Sequence, residues 1–225
     1  VGYGFITIPS VLYSGSIAVL QIFDIPHLFG ITFEQSVWAI VWLIGIIGTL
    51  YAILGGLKAI AISDTLNGIG LLIVGILVPI LGFITLGDGN LLSGMKTIAT
   101  HHPEKLSAIG SSKDDVPFGT IFTGIIFANL FYWGTNQYVI QRTLGAKNLA
   151  EGQKGALFTG FLKVLVPFLM MIPGVIAFHL YGPGLKNMDL AYPTLVKDIF
   201  PTFLNGFFLA VLLGAVFSSF NALLN

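Results

Sequence analysis

Gly155-Ala-Leu-Phe-Thr-Gly-Phe-Leu-Lys-Val-Leu-Val-Pro-Phe-Leu-Met-Met-Ile-Pro-Gly-Val-Ile-Ala-Phe178 is an apolar run that carries a single charge, Lys163. At about 1.5 Å per residue it is long enough, as a helix, to cross the roughly 30 Å hydrocarbon core of a bilayer. A lysine near the centre of such a span costs about 3 kcal/mol on insertion scales, so it needs a polar partner or a wet cavity. The run points to a membrane fold with a polar task inside it.

The rest of the chain agrees. Hydrophobic residues make up 55% and charged residues 9%, and the mean hydropathy is +0.91. Soluble domains carry about a quarter charged residues, so a water-facing surface could not be coated. A polytopic all-α membrane protein is expected, with the lipid bilayer as its surroundings. The formal net charge is zero, which argues against nucleic acid as a partner. Cysteine is absent, which excludes disulfides and thiolate metal sites. The chain opens at Val1 without methionine and stops at Asn225 inside an apolar stretch, so a piece of a longer protein is expected.

Six apolar segments follow one another, all suited to membrane helices. Segment A covers residues 2–23, B 33–54, C 59–86, D 118–138, E 156–181 and F 203–224. Thr32 with Gln35 reads as a capping box opening B. Gly55-Gly56 is expected to break B from C, and Pro183-Gly184 to close E. Lys58 lies between B and C, and Arg142, Lys147 and Lys154 lie between D and E. Placing both connections in the cytoplasm satisfies the positive-inside rule and puts the two chain ends on that side. Residues 87–117 read as an exposed extracellular excursion, whose His101-His102 pair lacks nearby groups to complete a metal site. Residues 191–200 suit a short amphipathic helix at the outer mouth, as packing or as a lid.

Segment D is the most polar span. Asn129, Tyr132, Trp133 and Asn136 recur at i, i+3, i+4 and i+7, one face of a continuous helix. Amides, a phenol and a flat indole suit the hydroxyl edges and C–H faces of a sugar. The same residues also fit an interfacial aromatic belt with amides joining helices. Gly134 allows a kink or break there. Lys163 adds three donors if E packs beside D, and Pro167 and Pro173 are expected to bend E. In F, Ala210/Gly214/Ser218/Ala222 and Ala215/Ser219 form small-residue stripes, which helix packing alone explains. The adjacent hydroxyls of Ser218 and Ser219 are the exception, since they suit a hard monovalent cation. Asp64 is the one acid placed within a span, as a helix cap or as part of an ion path.

The string Ala128-Asn-Leu-Phe-Tyr-Trp-Gly-Thr-Asn-Gln-Tyr-Val-Ile-Gln-Arg-Thr-Leu-Gly-Ala-Lys147 resembles the signature of the sodium:solute symporter family, best in its sodium/sugar branch. Tyr51-Ala-Ile-Leu-Gly-Gly-Leu-Lys-Ala59 leading to Asp64, Gly160-Phe-Leu-Lys-Val-Leu-Val-Pro-Phe168 and Leu213-Gly-Ala-Val-Phe-Ser-Ser-Phe-Asn-Ala-Leu-Leu-Asn225 support it in order and spacing. Gly145 stands where alanine is usual, and Phe220 where leucine is common.

The resemblance implies a five-plus-five inverted-repeat transporter core with substrate held midway across the membrane. Six transmembrane helices would form its central part: residues 1–86 the last three helices of the first repeat, 87–117 the extracellular loop, and 118–225 the first three helices of the second. It implies sugar ligands at Asn129 and Lys163, and a gate at Tyr132 with Trp133 beside it. It further implies sodium ligands at Ser218, Ser219 and the carbonyl of Ala215, and a sodium exit route past Asp64. The first two core helices and the closing helices would lie outside this stretch, so it should not transport alone. The expected function is sodium-coupled symport of a hexose across the plasma membrane (the inner membrane in a bacterium), with sodium as the coupling ion and no enzymatic chemistry. Alternatives are a symporter for a polyol, sialic acid or carboxylate, or a transporter-like sensory domain.

Overall fold

The computed structural model describes residues 2–23, 25–107, 109–113, 116–182 and 188–224. Among these no strand occurs, and the fold is all-α, as the composition requires. A wide π-helical turn, Tyr3–Thr7, leads into α1 (Ile8–Phe23), followed by the short α2 (Ile25–Phe29). Helix α3 (Phe33–Leu86) opens with the expected capping box: Thr32 Oγ1 accepts from the Gln35 N–H, and Gln35 Oε1 accepts from the Thr32 N–H.

The expected break at Gly55-Gly56 does not interrupt the helical hydrogen bonding, and α3 is a single element of 54 residues. It is not straight, however. Gly48 lies against Phe220 and Asn67 against Gly214. A straight helix would separate Gly48 from Asn67 by about 28 Å, whereas Gly214 and Phe220 lie only about 9 Å apart along their own axis. Even with the reach of the side chains, α3 must bend between these contacts, in the interval that contains the two glycines. Glycine lacks a Cβ, so the helix can bend here while its backbone bonds persist.

Residues 87–117 are more structured than an open excursion. Asn90 Oδ1 accepts the N–H groups of Leu92 and Ser93 at 2.9 and 3.2 Å, starting α4 (Leu91–Thr100). His102 adopts φ +59 and its ring meets Glu104 at 2.9 Å. The Glu104 carboxyl is held below the ordinary range by its own backbone N–H and then by His102. Among the described residues, no three His, Asp or Glu side chains gather as a metal site.

Segment D breaks where Gly134 allows it. A π-helical turn (Ile121–Ile125) runs into α5 (Ile126–Gly134), and α6 (Gln137–Leu144) starts afresh. Asn148 Oδ1 caps α7 (Leu149–Val166) by accepting the Glu151 N–H at 2.9 Å. A second π-helical turn (Pro167–Met171) joins α7 to α8 (Ile172–Tyr181), because Pro167 has no N–H for the regular ladder. Gly182, at φ +56, ends α8; Pro183-Gly184 lies outside the described residues. Helix α9 (Ala191–Ile199) forms where an amphipathic helix was expected, and α10 (Thr202–Leu224) completes the chain.

Among the described residues, helix length and hydropathy identify four membrane-crossing stretches rather than six: Phe33–Gly55, Ile60–Leu86, Leu149–Tyr181 and Thr202–Leu224. The apolar stretch Gly4–Leu20 is shorter, and segment D is divided by its break.

Two compact units result: Val1–Thr97 with Phe168–Asn225, and Ile98–Pro167. In the first, α10 packs on α1 and α3 through bare glycine backbones. A Cβ at Gly15 would lie 2.6 Å from Val216 Cγ2, one at Gly70 2.6 Å from Val211 Cγ2, and one at Gly214 would strike the Asn67 amide. Close approach of this kind supplies the packing that drives helix association in lipid. Gly70→Val should therefore lower the thermal midpoint of the detergent-solubilised protein, with overpacking costing about 1–3 kcal/mol. An unchanged midpoint would show that α3 and α10 do not depend on this contact.

Helix α9 packs into the same unit with Pro193, Leu195, Val196 and Ile199 buried. Tyr181 Oη donates to Asp198 Oδ2 at 2.7 Å, tying α8 to α9. Burial pushes the Tyr192 phenol up to about 12, so it remains neutral beside Phe208, whose ring lies 6.2 Å away. Packing accounts for the buried face of α9.

Candidate functional site

In the unit Ile98–Pro167, α5 and α7 carry the residues expected to hold solute. Asn129 Nδ2 donates to the Ile125 carbonyl at 2.9 Å, which holds the amide in place and leaves its oxygen as an acceptor. Asn129 and Trp133 line an open cavity of about 550 Å³, together with Ile121, Ile125, Ile126, Leu130 and Gly134. Trp133 meets Tyr132 edge-to-face at 5.1 Å. The Lys163 ammonium, carried on α7, stands over the Trp133 ring at 4.3 Å from its centroid.

That contact bears on the reading of Lys163. Among the described residues it has no carboxylate partner. The indole face offers partial electrostatic compensation, about 0.5–2 kcal/mol depending on desolvation. Its three N–H donors are not consumed by that contact. Tyr132 and Lys163 do not line the cavity wall, but both touch Trp133, which does.

Asn136 departs from the expected face. The chain leaves α5 at Thr135, and the N–H groups of both Thr135 and Asn136 turn back to the Phe131 carbonyl at 3.0 Å. Asn136 is therefore not one turn further along the same helix. It is buried, at 4% exposure, while Asn129, Tyr132 and Trp133 remain open. The break also leaves the last carbonyls of α5 without regular helical partners.

The residues expected to hold sodium lie in the other unit. Helix α10 is unbroken through this region, so the Ala215 carbonyl keeps its helical N–H and has one lone pair left over. Ser218 and Ser219 are half-buried. Hydroxyls in apolar helices commonly bond back to the i−4 carbonyl. Ser10, Ser16, Thr49, Thr65 and Thr85 do so at 2.7–3.0 Å. Among the described residues, Ser218 and Ser219 make no such bond, and both hydroxyls remain unspent.

Their directions differ. Ser219 and Ala215 line a cavity of about 360 Å³ whose facing wall is Thr7, at the end of the first π-helical turn, with Ser10 and Ser14 of α1. Ser218 does not line it. On α3, Gly70 meets Val211 and Asn67 meets Gly214, an antiparallel register whose next step brings residues 63–64 level with 217–218. Extended by one turn, that register sets Asp64 level with Ser218 along the helix axis. The structure brings Ala215 and Ser219 together on one cavity wall, and Ser218 is not on it.

Two groups of residues went unread in the sequence. Thr7, Ser10 and Ser14, at i, i+3 and i+7, face Ser219, and their helical spacing was a usable signal. Asn67, packed on Gly214, had no signal beyond its place one turn after Asp64.

Comparison with known proteins gives the family. The sodium:solute symporter family model matches residues 5–225. Over 218 residues the chain is 50% identical to the uncharacterized symporter YidK of Escherichia coli, covering 97% of this chain and 38% of that protein. It is 33% identical to the sodium/glucose cotransporter of Vibrio parahaemolyticus, covering 99% of this chain and 43% of that protein. Identity to the mouse sodium/myo-inositol cotransporter 2 is 31%, over 83% of this chain and 32% of the relative. The chain thus spans about two-fifths or less of the length of these relatives. An all-α chain with four apolar membrane-crossing stretches and a family match over nearly its whole length is a multi-pass membrane protein, and it belongs to the sodium:solute symporter family.

Proposed function

We propose that this chain is the central part of a sodium-coupled sugar symporter working by alternating access. In this reading its B–C and D–E connections face the cytoplasm and the turn before α9 faces outward. Sodium, held by Ser218, Ser219 and the Ala215 carbonyl, favours the outward-open state and completes the sugar site. Asn129 and Lys163 bind sugar hydroxyls, Trp133 offers its face, and Tyr132 moves to release the solute inward. Asp64 lies on the route by which sodium leaves. A gradient of sodium drives the cycle, aided by about 2.3 kcal/mol per charge per 100 mV of membrane potential.

The observation that carries the reading is Lys163 over Trp133. It puts a cation, without a carboxylate partner among the described residues, on an indole whose ring borders the Asn129 cavity. Hydroxyl-rich neutral solutes match that combination of donors, acceptor and flat apolar face.

The same missing partner favours one alternative, because a solute carboxylate could pair directly with Lys163. The relatives named for glucose and for myo-inositol also leave hexose and polyol open. Uptake of labelled hexose by the full-length protein in proteoliposomes, with and without an inward sodium gradient, separates these readings. Sodium-dependent hexose accumulation, competed by neutral hexoses or polyols but not organic acids, supports the proposal. Competition by organic acids alone would replace it with carboxylate transport.

A further inference from the structure

Ser219, a sodium ligand in the reading above, lines one of two neighbouring cavities. Ser14, on the facing wall of α1, also lines a second cavity of about 160 Å³ bounded by Tyr13, Ile17, Ala18 and Asp189. One side chain is thus a common wall of both spaces. A single water needs roughly 10–15 Å³ of such space, so each cavity accommodates hydrated cargo or several waters. Asp189 lies in the turn Met188–Leu190 that leads into α9.

The polar atoms along this path suit a cation. Ser10 spends its proton on the Ile6 carbonyl at 2.7 Å, so its lone pairs are what it can offer the cavity. Ser14 makes no hydrogen bond among the described residues, although Ser16, two residues on, bonds back to Leu12 at 2.7 Å. Its oxygen is therefore available to a passing ion. Asp189 supplies a carboxylate at one end and Ser219 an unspent hydroxyl at the other. Hard cations are taken by this kind of oxygen set.

We propose that Asp189 and the Ser14–Ser10–Thr7 hydroxyl row form the outer leg of the sodium route, Asp189 drawing the ion in and Ser14 passing it to Ser219. The inference rests on the sodium-symport reading above and adds an entry path to it. It also gives the turn before α9 a task beyond packing.

The test is sodium-dependent uptake by the full-length protein carrying Asp189→Asn, Asp189→Glu or Ser14→Ala. Asp189→Asn should raise the sodium concentration for half-maximal uptake about ten-fold, the scale on which a charged mouth concentrates an ion. Asp189→Glu should restore most of it, and the solute KM at saturating sodium should stay put. Ser14→Cys should react with a small cationic thiol reagent added from outside, above the wild-type background, and sodium should slow that reaction. If wild-type uptake depends on sodium but neither Asp189→Asn nor Ser14→Ala moves the sodium half-saturation, the outer leg is wrong and the symport reading stands. Solute KM and sodium half-saturation rising together, without rescue by Asp189→Glu, would make Asp189 structural and overturn the proposal. Wild-type uptake indifferent to sodium would sink both.

Discussion

Lys163→Ala in the full-length protein should lower kcat/KM for solute by about ten- to a hundred-fold while leaving the protein folded. A hydrogen bond from a charged donor contributes about 1.5–3 kcal/mol, and losing it from the transport cycle has that effect. Stability should hold because Lys163 has no ion-pair partner among the described residues that its removal would strand. Removing a lysine from a span also relieves an insertion penalty. Lys163→Arg keeps the charge and the stacking but replaces a compact ammonium with a planar fork. It should fold normally and still lose much of the uptake. Trp133→Phe should be milder than Trp133→Ala, because phenylalanine retains a weaker cation–π face. A double-mutant cycle of Lys163→Ala and Trp133→Ala, read in solute binding, should show coupling of about 0.5–2 kcal/mol. Full uptake in Lys163→Ala would remove the residue from the solute site, and zero coupling would separate it from Trp133.

The parts of the fold that follow from local chemistry were legible in the sequence. Apolar runs gave the helices, Thr32 and Gln35 gave the capping box, Gly134 gave the break in segment D, and Pro167 gave the distortion between α7 and α8. What was not legible depended on partners far away in sequence. Gly55-Gly56 reads as a chain break because glycine is a poor helix former, yet α3 keeps its bonds and bends. Residue Asn136 illustrates the same limit at the site. Helical periodicity extends a face through it, but the break that Gly134 permits places it beyond the end of that helix and buries it.

The candidate site divides in a similar way. Asn129, Tyr132 and Trp133 could be grouped from spacing because one short helix carries them. The contact of Lys163 with Trp133 joins two helices, and no periodicity specifies it. On α1, spacing alone could not tell a spent hydroxyl from an available one. Ser10 and Ser14 look equivalent in sequence, and only the structure shows that Ser10 bonds back to Ile6 while Ser14 does not.

Ser219→Ala should raise the sodium concentration for half-maximal uptake about ten-fold or more, and more than Ser218→Ala raises it. A hard cation stripped of water needs oxygen ligands, and each lost charge-assisted contact is worth about 1.5–3 kcal/mol. Ser219 shares its cavity with Ala215, so its loss leaves that group with only the Ala215 carbonyl and the α1 hydroxyls. Ser218 does not line that cavity, so its loss should weaken the ion site less. Binding linkage adds a sharper check. If sodium raises solute affinity by some factor, solute must raise sodium affinity by the same factor. In Ser219→Ala the solute KM should climb at low sodium and return towards the wild-type value at saturating sodium, because the proposed solute residues Asn129 and Lys163 are unchanged. A solute KM raised equally at all sodium concentrations would place Ser219 in the solute site or in the general packing of α10. Equal sodium shifts in Ser218→Ala and Ser219→Ala would show that the cavity lining does not rank the two hydroxyls as ligands.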